Sequence, residues 1–70
     1  MKILVSVHAE RRMIERGLTR LELLETINSP DLIRKRYEKY YYVKRLQRGM
    51  IEIITEQKEN HIKVVTLYWL

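Results

Sequence analysis

The sequence predicts an α+β domain in which two N-terminal helices pack on one face of a three- to four-stranded antiparallel sheet. Three observations lead to this fold class. Residues 6–22 have the apolar spacing, the caps and the glycine stop of two short helices. From Asp31 onward, the pattern changes to short runs rich in β-branched and aromatic residues, separated by polar turns. Because 70 residues leave no room for a second domain, we expect a single unit over residues 1–70.

The first predicted element is an apolar, β-branched run, Lys2 to Val7, which is typical of a short strand or an extended arm. The first helix is expected over about Val7 to Arg16. Ser6 can act as its N-cap, and Gly17 stands where a left-handed C-cap residue belongs. We expect the apolar side of this helix to consist of Ala9, Met13 and Ile14.

The second helix begins within residues 18–23, where Thr19 and Glu22 have the spacing of a capping box. It is expected to run to about Asn28 and to end at the Ser29-Pro30 pair, because the residue before a proline avoids helical backbone angles. Its predicted buried positions are Leu21, Leu24 and Ile27, with Leu23 at the edge.

The remaining residues predict the sheet. Leu32-Ile33 followed by three basic residues favours the start of one strand, and the further runs are Tyr40 to Gln47, Met50 to Thr55 and His61 to Trp69. The connections are short, so the strands are expected to pair as an antiparallel meander. Helices on one side would leave the other sheet face available for a ligand.

The last run, His61 to Trp69, has apolar residues on both predicted faces, which is typical of a central strand. Strict alternation would place Ile62, Val64, Thr66, Tyr68 and Leu70 on one face, opposite His61, Lys63, Val65, Leu67 and Trp69. Trp69 is expected to be a core or dimer anchor. A Tyr68 hydroxyl near the first helix could orient a phosphate or act as an acid, and simple packing is the alternative.

The charge balance points to a polyanionic partner. Fourteen basic against nine acidic residues give a formal net charge of +5 and a pI near 9.7. This excess favours nucleic acid first and an acidic protein second, with a well-solvated surface as the alternative. The chain has no cysteine, which excludes disulfides and suits a reducing compartment. No apolar run approaches the roughly 18 residues that cross a bilayer, so we expect a cytoplasmic protein with no membrane partner.

Neither a metal nor another cofactor is expected. The two histidines, His8 and His61, are far apart in the sequence, and no HxH or HExxH pattern occurs. Gly17 and Gly49 are isolated, so they form no glycine-rich loop for a phosphate. The sequence therefore argues against an ATP-dependent or zinc-dependent enzyme.

One helical stripe suggests chemistry. His8, Arg12 and Arg16 follow one another at four-residue spacing and should lie on one face of the first helix. Imidazole transfers protons near neutral pH, while guanidinium groups bind phosphate and the charge of a pentacovalent transition state. The alternative is a solvated or ion-paired face, because Glu10 and Glu15 lie on the same helix.

A second group combines rings with cations. Tyr40, Tyr42 and Lys44 share one face of a predicted strand, while Arg45 lies on the other and Arg48 in the turn that follows. This mixture suits RNA, because bases stack on rings and phosphates need cations. The alternative is that the tyrosines are ordinary strand residues with one polar end.

Residues 8–18, HAERRMIERGL, resemble the opening helix of a family of small prokaryotic domains of unknown function, with the pattern H-A-x-x-R-M-x-x-R-G-I/L. That family continues with a capped second helix and strands ending in a T-x-Y-like segment, here Thr66-Leu67-Tyr68. It is generally grouped with the RelE/ParE-type toxins, whose fold sets helices against a curved antiparallel sheet. The resemblance covers nearly the whole chain.

The resemblance implies a toxin-like, metal-independent endoribonuclease of a toxin–antitoxin system, or a relative of one. In RelE-type enzymes, basic side chains and often a tyrosine near the C-terminus cleave RNA, as the 2′-hydroxyl attacks the adjacent phosphate. Carried over to this sequence, the catalytic residues would be His8, Arg12, Arg16 and Tyr68, with Arg45 as a basic residue in mid-sheet. The implied partners are RNA, including mRNA on the ribosome, and an antitoxin protein.

Two other functions remain open. A non-catalytic module would bind nucleic acid or an acidic partner through the same basic surface, with Tyr40, Tyr42, Lys44, Arg45 and Arg48 as contacts. A dimerising protein would meet a second copy through the edge at Trp69 or through the exposed sheet face.

Overall fold

Two helices and five strands make up residues 2–70, the part of the chain that the computed structural model describes. The helices are α1, Val7–Arg16, and α2, Arg20–Asn28. The strands are β1, Lys2–Val5; β2, Leu32–Arg36; β3, Lys39–Leu46; β4, Gly49–Gln57; and β5, His61–Trp69. The predicted α+β class with two helices is confirmed. Within residues 2–70, neither helix has the length and apolar character that crossing a membrane requires.

Both helices begin and end as their caps predict. The Ser6 hydroxyl accepts a hydrogen bond from the Ala9 amide at 3.0 Å, and Gly17 takes a left-handed conformation with φ of 66° at the C-terminus of α1. At the start of α2, Thr19 and Glu22 form the reciprocal capping box. These contacts satisfy backbone groups that a short helix would otherwise leave unpaired.

The sheet is mixed and has the strand order β1-β5-β4-β3-β2. Strands β2 to β5 form the predicted antiparallel meander, and β5 is an interior strand between β1 and β4. The prediction of three to four antiparallel strands is wrong in one respect, because β1 adds a fifth strand parallel to β5, with Ile3 beside Ile62 and Val5 beside Val64. The partner of β1 lies at the far end of the chain, and local patterns carry no signal for such a distant pairing.

The helices pack on one face of the sheet, α1 against β5 and α2 against β3 and β4. The core on this side includes Ala9, Met13, Leu18, Leu23, Ile27, Tyr42, Leu46, Ile51, Ile53, Ile62, Val64 and Leu67.

Three predicted helix positions differ from the structure. Ile14 and Leu21 are 81% and 79% exposed, whereas Leu23 is fully buried. The cap fixed where α2 starts but not how it is rotated about its axis. Contacts with the sheet select the face of Leu23 and Ile27 instead.

A bulge in β5 changes the predicted alternation. The register with β4 shifts between Ile54, which lies opposite Thr66, and Thr55, which lies opposite Val64. Val65 is therefore an extra residue. As a result, the two apolar faces of the sequence pattern become one, since Ile62 and Val64 join Leu67 in the same core.

Within residues 2–70, no helix packs on the other face of the sheet, and we call it the open face. Strand alternation and the register assign its members. They are Lys2 and Leu4 of β1; Leu32, Arg34 and Arg36 of β2; Lys39, Tyr41, Val43 and Arg45 of β3; Met50, Glu52, Ile54 and Glu56 of β4; and His61, Lys63, Thr66 and Tyr68 of β5.

Candidate functional site

A carboxylate and a phenol lie together at the centre of the open face. Glu52 of β4 and Tyr68 of β5 are directly opposite each other across the two strands, and the Tyr68 hydroxyl donates a hydrogen bond to Oε1 of Glu52. Glu52 is only 7% exposed, and its β3 neighbour Val43 is buried too. A nearly buried acid is unusual on a sheet face that no helix covers, so this pair marks the centre of the candidate site.

The pair fixes the protonation state of the phenol. The hydrogen bond to Glu52, followed by burial and by the charge of Glu52, raises the pKa of Tyr68 to about 12. Arg34 on β2 acts in the opposite direction and lowers this pKa. Tyr68 therefore keeps its proton, and its hydrogen bond to Glu52, to a higher pH than an ordinary tyrosine would.

Two arginines and a second ring lie on the same sheet face as this pair, on the neighbouring strands β2 and β3. Arg34 is paired in register with Tyr41, and Arg45 is paired with Met50, with Nη2 of Arg45 3.8 Å from the Met50 sulfur. Neither arginine has a carboxylate within ion-pair distance among residues 2–70. The open face thus presents two guanidinium groups without an ion pair among residues 2–70, together with the rings of Tyr41 and Tyr68.

The structure keeps the predicted helical stripe together on α1. His8 is exposed, and Arg12 and Arg16 are half-buried. One carboxylate forms an ion pair with both arginines, since Oε1 of Glu15 lies 2.5 Å from Nη1 of Arg12 and 3.7 Å from Nη1 of Arg16. The stripe therefore combines an exposed imidazole with two guanidinium groups that already hold the carboxylate of Glu15.

Tyr68 does not lie with that stripe. Its neighbour Trp69 points to the helix side, where the indole Nε1 donates to the carbonyl of Arg16 at 2.9 Å. Alternation then puts Tyr68 on the open face, where it meets Glu52. The expectation that Tyr68 lies near the first helix, in one site with His8, is wrong, because the sheet separates the two groups.

The predicted RNA-contacting residues are divided between the two faces. Tyr42 is 5% exposed and belongs to the core, and Tyr40 lies beneath Lys35, whose Nζ is 5.6 Å from the ring centroid. Nζ of Lys44 donates to the carbonyl of Ser29 at 2.7 Å. These three predicted contacts therefore occupy the helix side of β3.

Arg48 also makes contacts within the protein. Its Nη2 donates to the carbonyl of Gly17 at 2.7 Å and to Oε1 of Glu22 at 2.6 Å, and its guanidinium lies 5.0 Å from the Trp69 ring centroid. Of the five residues predicted to contact RNA, only Arg45 lies on the open face.

A family model described as "Domain of unknown function (DUF4258)" matches residues 5–69 of the chain. The protein belongs to this DUF4258 family. The match includes the α1 stripe and nearly all of the open face. No curated protein and no solved structure matches the chain, so no finding connects this DUF4258 domain with the RelE/ParE-type toxins.

Residues 2–70 enclose no pocket, and within the same range no three His, Cys, Asp or Glu side chains are grouped so that they could hold a metal ion. The open face combines tyrosine rings with cations, a combination suited to a charged ligand that offers aromatic surfaces.

Three members of the open-face site were missed from the sequence. Arg34 belongs to a strand of which the sequence pattern predicts only the start, and Tyr41 lies within the predicted strand Tyr40 to Gln47 without a predicted role. Glu52 was the most visible signal, since it is a lone acid inside the apolar run Met50 to Thr55. Only the cross-strand register brings it to Tyr68.

Proposed function

We propose that this DUF4258 domain binds RNA in the cytoplasm through the open face of its sheet. The observation that carries the proposal is that Arg34 and Arg45, which have no ion pair among residues 2–70, lie on the same sheet face as the half-buried rings of Tyr41 and Tyr68. Bases can stack on rings, while guanidinium groups bind phosphates.

The distribution of charge supports this assignment. Seven of the fourteen lysines and arginines have a carboxylate within 4.0 Å among residues 2–70, which leaves seven without one. Five of those seven belong to the open face: Lys2, Arg34, Arg36, Arg45 and Lys63. The net positive charge is therefore concentrated on the face that no helix covers.

The central acid directs how RNA would lie on this face. Glu52 repels phosphate, so the backbone of a bound strand would follow the cations at the rim rather than cross the centre. A carboxylate can accept hydrogen bonds from the amino groups of bases. Bases would therefore point toward Glu52 and the rings, which requires that they be unpaired.

Salt-dependent binding tests the proposal. Binding of a fluorescently labelled single-stranded RNA is measured by anisotropy over a range of salt concentrations. Arg34→Ala and Arg45→Ala are each expected to reduce the slope of log K against log salt by about 0.7, the value for one phosphate contact on a single strand. Arg11→Ala is the matched control, because Arg11 is exposed, has no ion pair among residues 2–70 and lies on α1.

Two results would contradict the proposal. One is the absence of salt-dependent binding by the wild-type protein. The other is an equal loss of slope in Arg11→Ala and the open-face variants, because the charge effect would then be non-specific.

A second candidate is a metal-independent endoribonuclease of the RelE/ParE toxin type, kept inactive by an acidic antitoxin. It is supported by Glu15, whose carboxylate between Arg12 and Arg16 occupies a position that a phosphate could take. His8 on the same helix face is exposed and could transfer the proton of the attacking 2′-hydroxyl. Tyr68, on the opposite face, would then position RNA rather than assist the leaving group.

Cleavage is tested in the presence of a chelator, with and without translating ribosomes. His8→Ala is expected to slow cleavage by roughly 10²–10⁴, and the product should end in a 2′,3′-cyclic phosphate. Tyr68→Phe is the matched comparison and should keep most of the rate. Cleavage by His8→Ala at the wild-type rate would refute this mechanism, and binding without cleavage would leave the first proposal alone.

A further inference from the structure

The hairpin between β2 and β3 has an unusual turn. Its two residues, Tyr37 and Glu38, have φ values of 51° and 64°. A two-residue hairpin of type I′ needs positive φ at both positions, and Asn-Gly is the usual choice because other side chains are strained there. The turn is thus built from two residues that its backbone conformation disfavours.

Packing against the rest of the protein does not explain why a tyrosine occupies this turn either. Tyr37 is 80% exposed, so its ring gains little from burial. The guanidinium of Arg36 lies 5.4 Å from the ring centroid. Strained residues that packing does not require are found preferentially at functional sites, and an exposed aromatic ring at such a position is available to a ligand.

The strand that leads to this ring is strongly basic. Arg34, Lys35 and Arg36 are consecutive and exposed, and none has an ion pair among residues 2–70. Because successive side chains alternate in direction, the three cations are available on both sides of the edge strand β2. Glu38 is the one acid in the turn, and Lys39 is held by Glu56 at 3.3 Å.

We propose that Tyr37 stacks on an unpaired base of single-stranded RNA, while Arg34, Lys35 and Arg36 bind the neighbouring phosphates. The proposal rests on the RNA-binding function proposed above and adds the ligand class and the anchoring residue. A ring at the tip of a hairpin reaches a splayed base but not one stacked inside a duplex. Any base can stack on it, so the contact is not expected to depend strongly on sequence.

The test uses two substitutions with opposite consequences. Tyr37→Asn removes the ring and supplies a residue that tolerates positive φ, so it should weaken binding to a single-stranded oligonucleotide by about 5- to 150-fold while raising the melting temperature. Tyr37→Phe keeps the ring and should bind as tightly as wild type. Affinity is measured by fluorescence anisotropy, and the same oligonucleotide in a duplex should bind more weakly. A loss of affinity in a more stable protein excludes misfolding as its cause.

The outcomes separate this inference from the function on which it rests. If Tyr37→Asn binds as tightly as wild type while Arg45→Ala shows the reduced salt slope, stacking by Tyr37 is wrong and the open face still binds RNA. Equal affinity for the single strand and the duplex also overturns the inference. If the wild-type protein does not bind either RNA at low salt, both proposals fail together.

Discussion

Replacing Arg48 should destabilise the protein without weakening RNA binding. Its guanidinium connects the end of α1, through the Gly17 carbonyl, with the first turn of α2, through Glu22, and with β5, through Trp69. The prediction decides between two roles for this arginine, because the sequence pattern placed it among the RNA contacts.

The size of the effect follows from the three contacts. The side chains of Arg48 and Glu22 are 48% and 22% exposed, so their ion pair is expected to stabilise by about 0.2–1 kcal/mol. The bond to the Gly17 carbonyl adds about 1 kcal/mol, and the stacking on Trp69 adds about 0.5–1 kcal/mol. Arg48→Ala should therefore lower the free energy of unfolding by about 2 kcal/mol, which in so small a domain lowers Tm by about 8–16 °C.

The assay is urea unfolding, followed by the fluorescence of Trp69, the only tryptophan, and by circular dichroism in parallel. Arg45→Ala is the matched control, since this exposed arginine has no ion pair among residues 2–70 and should change stability by less than about 0.5 kcal/mol. A change below 0.5 kcal/mol in Arg48→Ala, together with a loss of RNA affinity, would refute the reasoning and return Arg48 to the RNA-binding set.

Two further predictions concern the sheet and α2. Because the folded protein raises the pKa of Tyr68 to about 12, the stability that this phenol contributes should be constant below its unfolded pKa of about 10 and be lost as the pH rises toward 12. In Glu52→Gln, the pKa of Tyr68 should fall toward 10, as measured by NMR of 13C-labelled tyrosine; an unchanged value would show that Glu52 is not the cause. Leu23→Ala should lower the free energy of unfolding by about 2–5 kcal/mol, because Leu23 is fully buried. Leu21→Ala, at a position 79% exposed, should lower it by less than about 0.5 kcal/mol. Comparable losses of stability for the two variants in urea unfolding would contradict the packing of α2.

The helix boundaries were predictable because their determinants are local. Ser6 and Gly17 delimit α1, and Thr19 and Glu22 start α2, each through bonds to atoms three or four residues away. The meander was predictable for a similar reason, since short connections leave antiparallel pairing as the available arrangement. The rotation of α2 about its axis was not predictable, because Leu21 and Leu23 are equally apolar and only contact with the sheet distinguishes them.

The candidate site was less predictable because sheet register creates it. The resemblance implies one catalytic site made of His8, Arg12, Arg16 and Tyr68. A strand, however, turns successive residues to opposite faces, and Tyr68 lies on the face away from α1. The bulge at Val65 then decides which residues of β5 share a face. Glu52 and Tyr68 are 16 positions apart and meet only through the pairing of β4 with β5, for which no local spacing rule exists.

The parallel pairing of β1 with β5 also constrains how the fold is reached during translation. The segment Lys2–Val5 is translated before the other described elements of the domain, yet its hydrogen-bonding partner, His61–Trp69, is the last of the five described strands to be made. Until β5 emerges, the nascent chain has both helices but lacks the strand on which α1 packs. Loop closure over nearly the full length of the chain slows such a step. The open face, which includes residues of both strands, can therefore be completed only after synthesis of the domain has ended.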